Sequence, residues 1–133
     1  MSVQRVSRIT QRFNELRAAG RKAFVPYLTV GDPSLSLTRE LAFMLEENGA
    51  DVLELGLPFT DPIADGPTNQ RAAQRALERG VRSEHLLELV SELRTGGFKL
   101  PIVLFITRAI AARNLPRTPA PLVPLPPDVL SHI

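Results

Sequence analysis

Three short apolar runs are separated by stretches with helical spacing, and this alternation restricts the fold more than any other feature of the sequence. The runs are Ala23 to Val30, Asp51 to Leu57 and Pro101 to Ile106. Ahead of the first, Val6, Ile9, Phe13 and Leu16 recur at spacings of 3, 4 and 3, which predicts an amphipathic helix over residues 3–19 with Gly20 at its C-terminal cap. Between the first and second runs, Leu37, Leu41, Met44 and Leu45 form another stripe. Asp32 is the expected N-cap of that helix, Pro33 its first residue and Gly49 its end. After the second run, Pro67 to Arg79 predicts a helix with Ala72, Ala73, Ala76 and Leu77 inward. Ser83 starts a further helix with Leu86, Leu89, Val90 and Leu93 inward, closed by Gly96 and Gly97. Pro26 removes one ladder donor from the first run. The order is α-β-α-β-α-α-β, which implies right-handed crossovers and a parallel sheet. The strands are expected in the order 1-2-3, with helices on one face. On the other face, Val52 and Glu54 are expected to be more exposed than ordinary core residues.

Composition divides the chain. Residues 1–105 hold 13 basic and 13 acidic side chains. Residues 106–133 hold Arg108, Arg113 and Arg117 against Asp128, which accounts for the net charge of +2. Six of the 12 prolines lie in those last 28 residues, and all eight glycines lie at or before Gly97. Proline at that density forbids a regular helix or an inner strand and favours extended chain. Two segments are therefore expected: an α/β unit over 1–105 and an irregular, Pro-rich tail over 106–133. The PxxP spacings among Pro116, Pro119, Pro121 and Pro124 offer a weaker reading as a ligand segment. The chain has no cysteine, which excludes disulfides, thiolate metal sites and a thiol nucleophile. No apolar run reaches a membrane span and no secretory leader is visible, so a cytoplasmic protein is expected. Aromatic residues make up 5% of the chain and tryptophan is absent, which argues against a stacking surface for nucleic acid.

The chemistry concentrates in Ala50-Asp-Val-Leu-Glu-Leu-Gly-Leu-Pro-Phe-Thr-Asp-Pro-Ile-Ala-Asp-Gly-Pro67. Side chains alternate along a strand. If Leu53, Leu55 and Leu57 face the helices, then Val52, Glu54 and Gly56 face the opposite side, which in an α/β barrel is the interior. A carboxylate there is costly unless it has a partner or a task, and burial shifts such a group toward general acid–base work near neutral pH. The plainer reading is a Glu54 neutralised by a buried cation, but strands 1 and 3 contain none. Asp61 and Asp65 follow in the loop after this strand, where barrel active sites are built. Each also has an ordinary reading as a turn or capping aspartate. A divalent ion held by Glu54, Asp61 and Asp65 is a third alternative. Walker A, GxGxxG and GxSxG patterns are absent. His85 and His132 have no companion at metal or triad spacing and are assigned to solvated surface. Arg71, Arg75, Arg79 and Arg82 recur at 4, 4 and 3, which predicts a solvated helix side or, less directly, a phosphate or partner contact.

The segments Phe24 to Pro33, Ala50 to Gly56, Pro58 to Pro67 and Pro101 to Leu104 resemble the alpha chain of tryptophan synthase. The resemblance runs from near the N-terminus to about Phe105 and is densest from Leu53 to Pro67. It implies the N-terminal three β/α units of a (β/α)8 TIM barrel, an incomplete one. The implied activity is a lyase of tryptophan biosynthesis. It cleaves indole-3-glycerol phosphate to indole and glyceraldehyde 3-phosphate by a retro-aldol reaction. Glu54 matches the family's proton-transfer residue. Asp65 matches the carboxylate that holds the indole N–H and stabilises the cationic intermediate. Tyr27 matches a pocket-lining aromatic position, and Asp61 a loop position that meets the beta chain. The alpha chain is implied to need no cofactor and no metal, since pyridoxal phosphate belongs to the beta chain.

The sequence departs from the family pattern after Phe105. Ile106-Thr-Arg-Ala-Ile stands where an aromatic–Asn–Pro stretch is usual, with Thr107 at an aromatic pocket position. A TIM barrel takes about 250 residues, and the family's phosphate-gripping and mobile loops lie in the later units. The change in proline, glycine and charge at the same point fits a shifted reading frame or a truncation. The alternative function is therefore a non-catalytic remnant of the same subunit. A half-barrel that dimerises is a third possibility.

Overall fold

A computed structural model describes residues 6–59 and 65–106. In chain order these form α1 (Arg8–Ala18), β1 (Tyr27–Thr29), α2 (Leu35–Glu47), β2 (Leu53–Gly56), α3 (Pro67–Glu78), α4 (Ser83–Thr95) and β3 (Ile102–Phe105). The Pro-rich tail beyond Ile106 lies outside the described residues, as do Asp61, Thr107 and His132.

The strands pair in parallel in the order β1-β2-β3, as the right-handed crossovers require. The register aligns Leu28, Leu55 and Leu104 in one row, and Tyr27, Glu54 and Val103 in the next. Because side chains alternate, these rows lie on opposite faces. The leucine row faces the helices. Leu53, Leu55, Leu93 and Ile102 are completely buried there, each stabilising the fold by about 1.5–3 kcal/mol. Ala42 and Ala76 bring α2 and α3 against the same cluster, and Leu86, Leu89 and Val90 bring α4. Small residues on the inner side of α3 let that helix lie close.

The strands are shorter than the apolar runs. Pro26 interrupts the first, yet its carbonyl still accepts from the Glu54 N–H at 2.9 Å. The chain therefore remains in register ahead of Tyr27.

Several sequence expectations are corrected. Asp32 is not the cap of α2. Ser34 takes that position, its Oγ accepting from the Leu37 N–H at 3.1 Å, and the Asp32–Pro33 peptide before it is cis. Thr38 is buried, donating its hydroxyl to the Ser34 carbonyl and accepting from the Gly31 N–H at 3.0 Å. Gly31 has φ +84°, and a Cβ there would overlap Val81, so the chain turns from β1 into α2 against the loop ahead of α4. Met44 is exposed, and the buried positions of α2 are Thr38 and Ala42. The apolar stripe is therefore rotated by part of a turn from the leucine count. Val52 is only 2% exposed, against the expectation of an open face. The neighbouring Asp51 is bound by Arg12 of α1, a closure at the start of β2.

That closure is a specific polar contact. Asp51 is 1% exposed. Its Oδ1 accepts from Arg12 Nε at 3.1 Å and Nη2 at 2.5 Å, and its Oδ2 accepts from the Phe24 N–H at 2.8 Å. Burial pushes the carboxyl up, but the Phe24 N–H and the Arg12 guanidinium outweigh it, and the net direction is down. The approach to β3 is fixed in a similar way. Glu46 accepts from the N–H groups of Lys99 and Leu100, and Arg94 donates to the carbonyls of Phe98 and Leu100 at 2.8 and 2.9 Å. Burial, reinforced by the charge of Arg8 and opposed by Glu46, lowers the Arg94 guanidinium to about 10.

Candidate active site

β1 places Tyr27 directly opposite Glu54 of β2, and Thr29 opposite Gly56. All four lie on the face away from the leucine row. Glu54 is half-buried between Tyr27 and Val103 in the register. The Tyr27 ring leans over Gly56, where a Cβ would overlap the phenol. Glycine at 56 is thus what allows the aromatic ring to lie along the strand beside the carboxylate. Thr29 occupies the next position on the same face.

Asp65 reaches this neighbourhood from the loop after β2. It is half-buried, one residue ahead of Gly66, the N-cap of α3, with Pro67 opening the helix. The capping reading of Asp65 therefore fails: the cap position is a residue without a side chain. The Asp65 carboxylate is instead felt by Tyr27. Burial raises the Tyr27 phenol first, the nearby Thr29 hydroxyl opposes this, and the negative charges of Asp65 and Glu54 add to the rise. The phenol stays neutral through the physiological range and is available as a hydrogen-bond donor. The face thus offers a neutral aromatic donor beside the Glu54 carboxylate, a pairing able to hold a polar ligand and move a proton.

Among the described residues no cluster of three His, Cys, Asp or Glu could hold a metal ion. Asp61 lies outside those residues, so its place relative to Glu54 and Asp65 is not described. A surface groove between α2 and α4, lined by Arg39, Ser91, Glu92 and Thr95, contains none of the predicted site residues.

Two polar features were not anticipated. His85 is not plain solvated surface: it is half-buried, and its Nδ1 accepts from the Arg82 N–H at 2.9 Å, capping the start of α4. Arg75, assigned to a solvated helix side, forks onto Asp32 with Nε–Oδ1 at 2.8 Å and Nη2–Oδ2 at 2.7 Å. The sequence signal for the second is the Asp beside Gly31 just past β1, a residue that also fits a helix cap. No helix among the described residues is long and apolar enough to cross a membrane.

Comparison with known proteins places these residues in context. The family model described as tryptophan synthase alpha chain matches residues 13–113, eight residues past the end of the resemblance read from the motifs. The tryptophan synthase alpha chain of Dechloromonas aromatica is 52% identical over 99 residues, covering 74% of this chain and 37% of that protein. That of a Roseiflexus species is 54% identical over 98 residues, covering 74% and 38%. The crystal structure of tryptophan synthase subunit alpha from Legionella pneumophila superposes with a TM-score of 0.72 at 41% identity, covering 74% of this chain and 38% of that one. Tryptophan synthase from Mycobacterium tuberculosis superposes with a TM-score of 0.67 at 34% identity, covering 74% and 40%. The chain spans well under half the length of these relatives.

Proposed function

The chain belongs to the tryptophan synthase alpha chain family, and we propose that it carries the acid–base part of an indole-3-glycerol phosphate lyase site. In this reading Glu54 delivers a proton to C3 of the indole ring, giving an indolenine cation. Asp65 holds the ring N–H and stabilises that charge. The hydroxyl on the side-chain carbon bonded to C3 then gives its proton to the Glu54 carboxylate left by the first transfer, and the C–C bond breaks. Its electron pair returns to the ring, releasing indole, while the hydroxyl carbon becomes the aldehyde of glyceraldehyde 3-phosphate. Two carboxylates in different settings suit the two tasks. Tyr27 lines the ring pocket. Asp61 meets the beta chain, which takes up the indole and carries the pyridoxal phosphate; the cleavage itself uses no cofactor. The reading places the chain in the cytoplasm, with residues 1–105 as the barrel segment and 106–133 as a separate tail.

The observation that carries this reading is the convergence on Tyr27. It stands opposite Glu54 in the strand register, and its phenol also feels Asp65. The test is indole formation by a hybrid in which residues 1–105 replace the matching segment of the Dechloromonas aromatica relative. Glu54→Gln is expected to remove about 10²–10⁴-fold of its turnover, because an amide cannot transfer the proton. Asp65→Asn should also cost heavily. Near-normal turnover by the Glu54→Gln hybrid would refute the assignment. A non-catalytic remnant shares every residue of this site and differs in one outcome: the 133-residue chain then forms no indole with or without beta chain, although the hybrid does.

A further inference from the structure

Asp65 sits on a loop, and a loop carboxylate is only useful if something fixes it relative to the strands. Two contacts do so. The Gln70 side-chain amide donates to the Asp65 carbonyl at 2.7 Å, and the Gln70 N–H donates to the Gly66 carbonyl at 3.0 Å. The Asp65 segment is thereby tied to the first turn of α3. Further along the same helix, Arg75 forks onto both oxygens of Asp32. Asp32 is held in turn at the end of β1, where its N–H donates to the Thr29 carbonyl at 3.2 Å. Thr29 shares its strand face with Tyr27, two residues away. A continuous set of contacts therefore runs from the Tyr27–Thr29 strand through Asp32 and Arg75 to α3, and back through Gln70 to Asp65.

We propose that Arg75 and Gln70 are positioning residues that, through Asp32, set the Asp65 segment against Tyr27 and Glu54. The Arg75–Asp32 pair joins residues 43 apart in sequence, whereas the ion pair of Arg82, in the same arginine series, is local, with Glu84 at 3.9 Å. Arg75 is half-exposed and Asp32 is 15% exposed. Exposed pairs contribute little to global stability. A planar, two-bond fork nonetheless fixes direction as well as distance, which a single-point contact does not. Its role is therefore geometric. This inference rests on the assignment of Asp65 given above.

The experiment has two parts. Amide exchange in the 133-residue chain is compared with and without Arg75→Met, which keeps the stem of the side chain and removes the fork. The amides of Asp32 and Gln70 are expected to exchange at least about tenfold faster in the variant, with the Leu55 amide unchanged. Equal exchange at Asp32 and Gln70 in both proteins, whether slow or fast, overturns the inference. Kinetics are then measured in the hybrid. Arg75→Met and Asp32→Asn should each lower kcat by about 10–100-fold with KM nearly unchanged, the scale expected of a misplaced catalytic group. The double variant should be no worse than either single one, and Arg75→Lys should recover only part of the loss. Additive losses, or wild-type kcat in Arg75→Met, overturn the inference. A hybrid without indole activity before any substitution would refute the lyase reading instead, and the exchange comparison would still decide whether the clamp exists.

Discussion

Removing Arg12 should harm the fold more than removing Asp51, although the two share one ion pair. The asymmetry follows from where each charge sits. Asp51 is 1% exposed, whereas the Arg12 side chain is 31% exposed. Asp51→Ala leaves a guanidinium that can turn toward water, and should cost about 1.5–3 kcal/mol, the range for a hydrogen bond to a charged group. Arg12→Ala leaves a carboxylate sealed under α1 with only the Phe24 N–H to serve it. Stranding a buried charge costs about 3–5 kcal/mol. The losses should also respond differently to pH. In the wild type the Asp51 carboxyl lies below its ordinary value. Its contribution is thus complete above the unfolded value of about 3.9 and is lost as pH falls through the lower folded value. Without Arg12, the burial that pushes the carboxyl up is less opposed, and the folded value rises. The defect of Arg12→Ala should then be largest at neutral pH and shrink as the solution is acidified toward that raised value. Urea unfolding followed by far-UV circular dichroism measures both effects, since a chain with no tryptophan and one tyrosine offers little fluorescence. An Asp51→Ala loss equal to or larger than that of Arg12→Ala, or an Arg12→Ala loss independent of pH, would refute the reasoning.

Gly56→Ala should drive the Tyr27 ring off the strand, costing about 1–3 kcal/mol of overpacking strain and lowering hybrid turnover. An unchanged melting temperature and kcat would show that the ring has room. Leu55→Ala, at the centre of the fully buried row, should cost about 2–5 kcal/mol, read as a shift of the urea midpoint. Asp61→Ala in the hybrid should weaken the activation seen on adding beta chain while sparing most of the basal indole formation; a wild-type response to beta chain would remove Asp61 from the interface.

The sheet order and the parity of β2 could be read directly from sequence, because period-2 alternation and glycine-punctuated helices each have one physical solution. The facing of Glu54 follows from that parity, while its role is implied by the resemblance. What escaped was set by long-range partners. Asp32 beside a proline looks like a cap until Arg75, on another helix, takes its carboxylate. Ser34 could then cap α2 because it was the next available oxygen. Met44 fits the helical count but lies on the outer side, since Thr38 is drawn inward by hydrogen bonds to Ser34 and Gly31 that a hydropathy pattern does not register. Val52 is expected to be open because its face lacks the further strands of a full barrel, yet it is 2% exposed, and nothing local in the sequence signals that burial. His85, three residues past Arg82, caps through an imidazole nitrogen, an acceptor outside the usual Ser, Thr, Asp and Asn.

The register that alternates Leu28–Leu55–Leu104 with Tyr27–Glu54–Val103 divides the strands by parity into two nearly independent alphabets. One set of positions answers to volume and apolarity. The neighbouring set, 27, 29, 54, 103 and 105, lies on the opposite face, where the proposed function puts the substrate; Gly56, also on that face, answers to the Tyr27 ring. A combinatorial library confined to the second set leaves the leucine row untouched, so catalytic novelty can be sought there with little loss of foldedness. A library of the same size placed one residue out of phase would mostly yield unfolded chains.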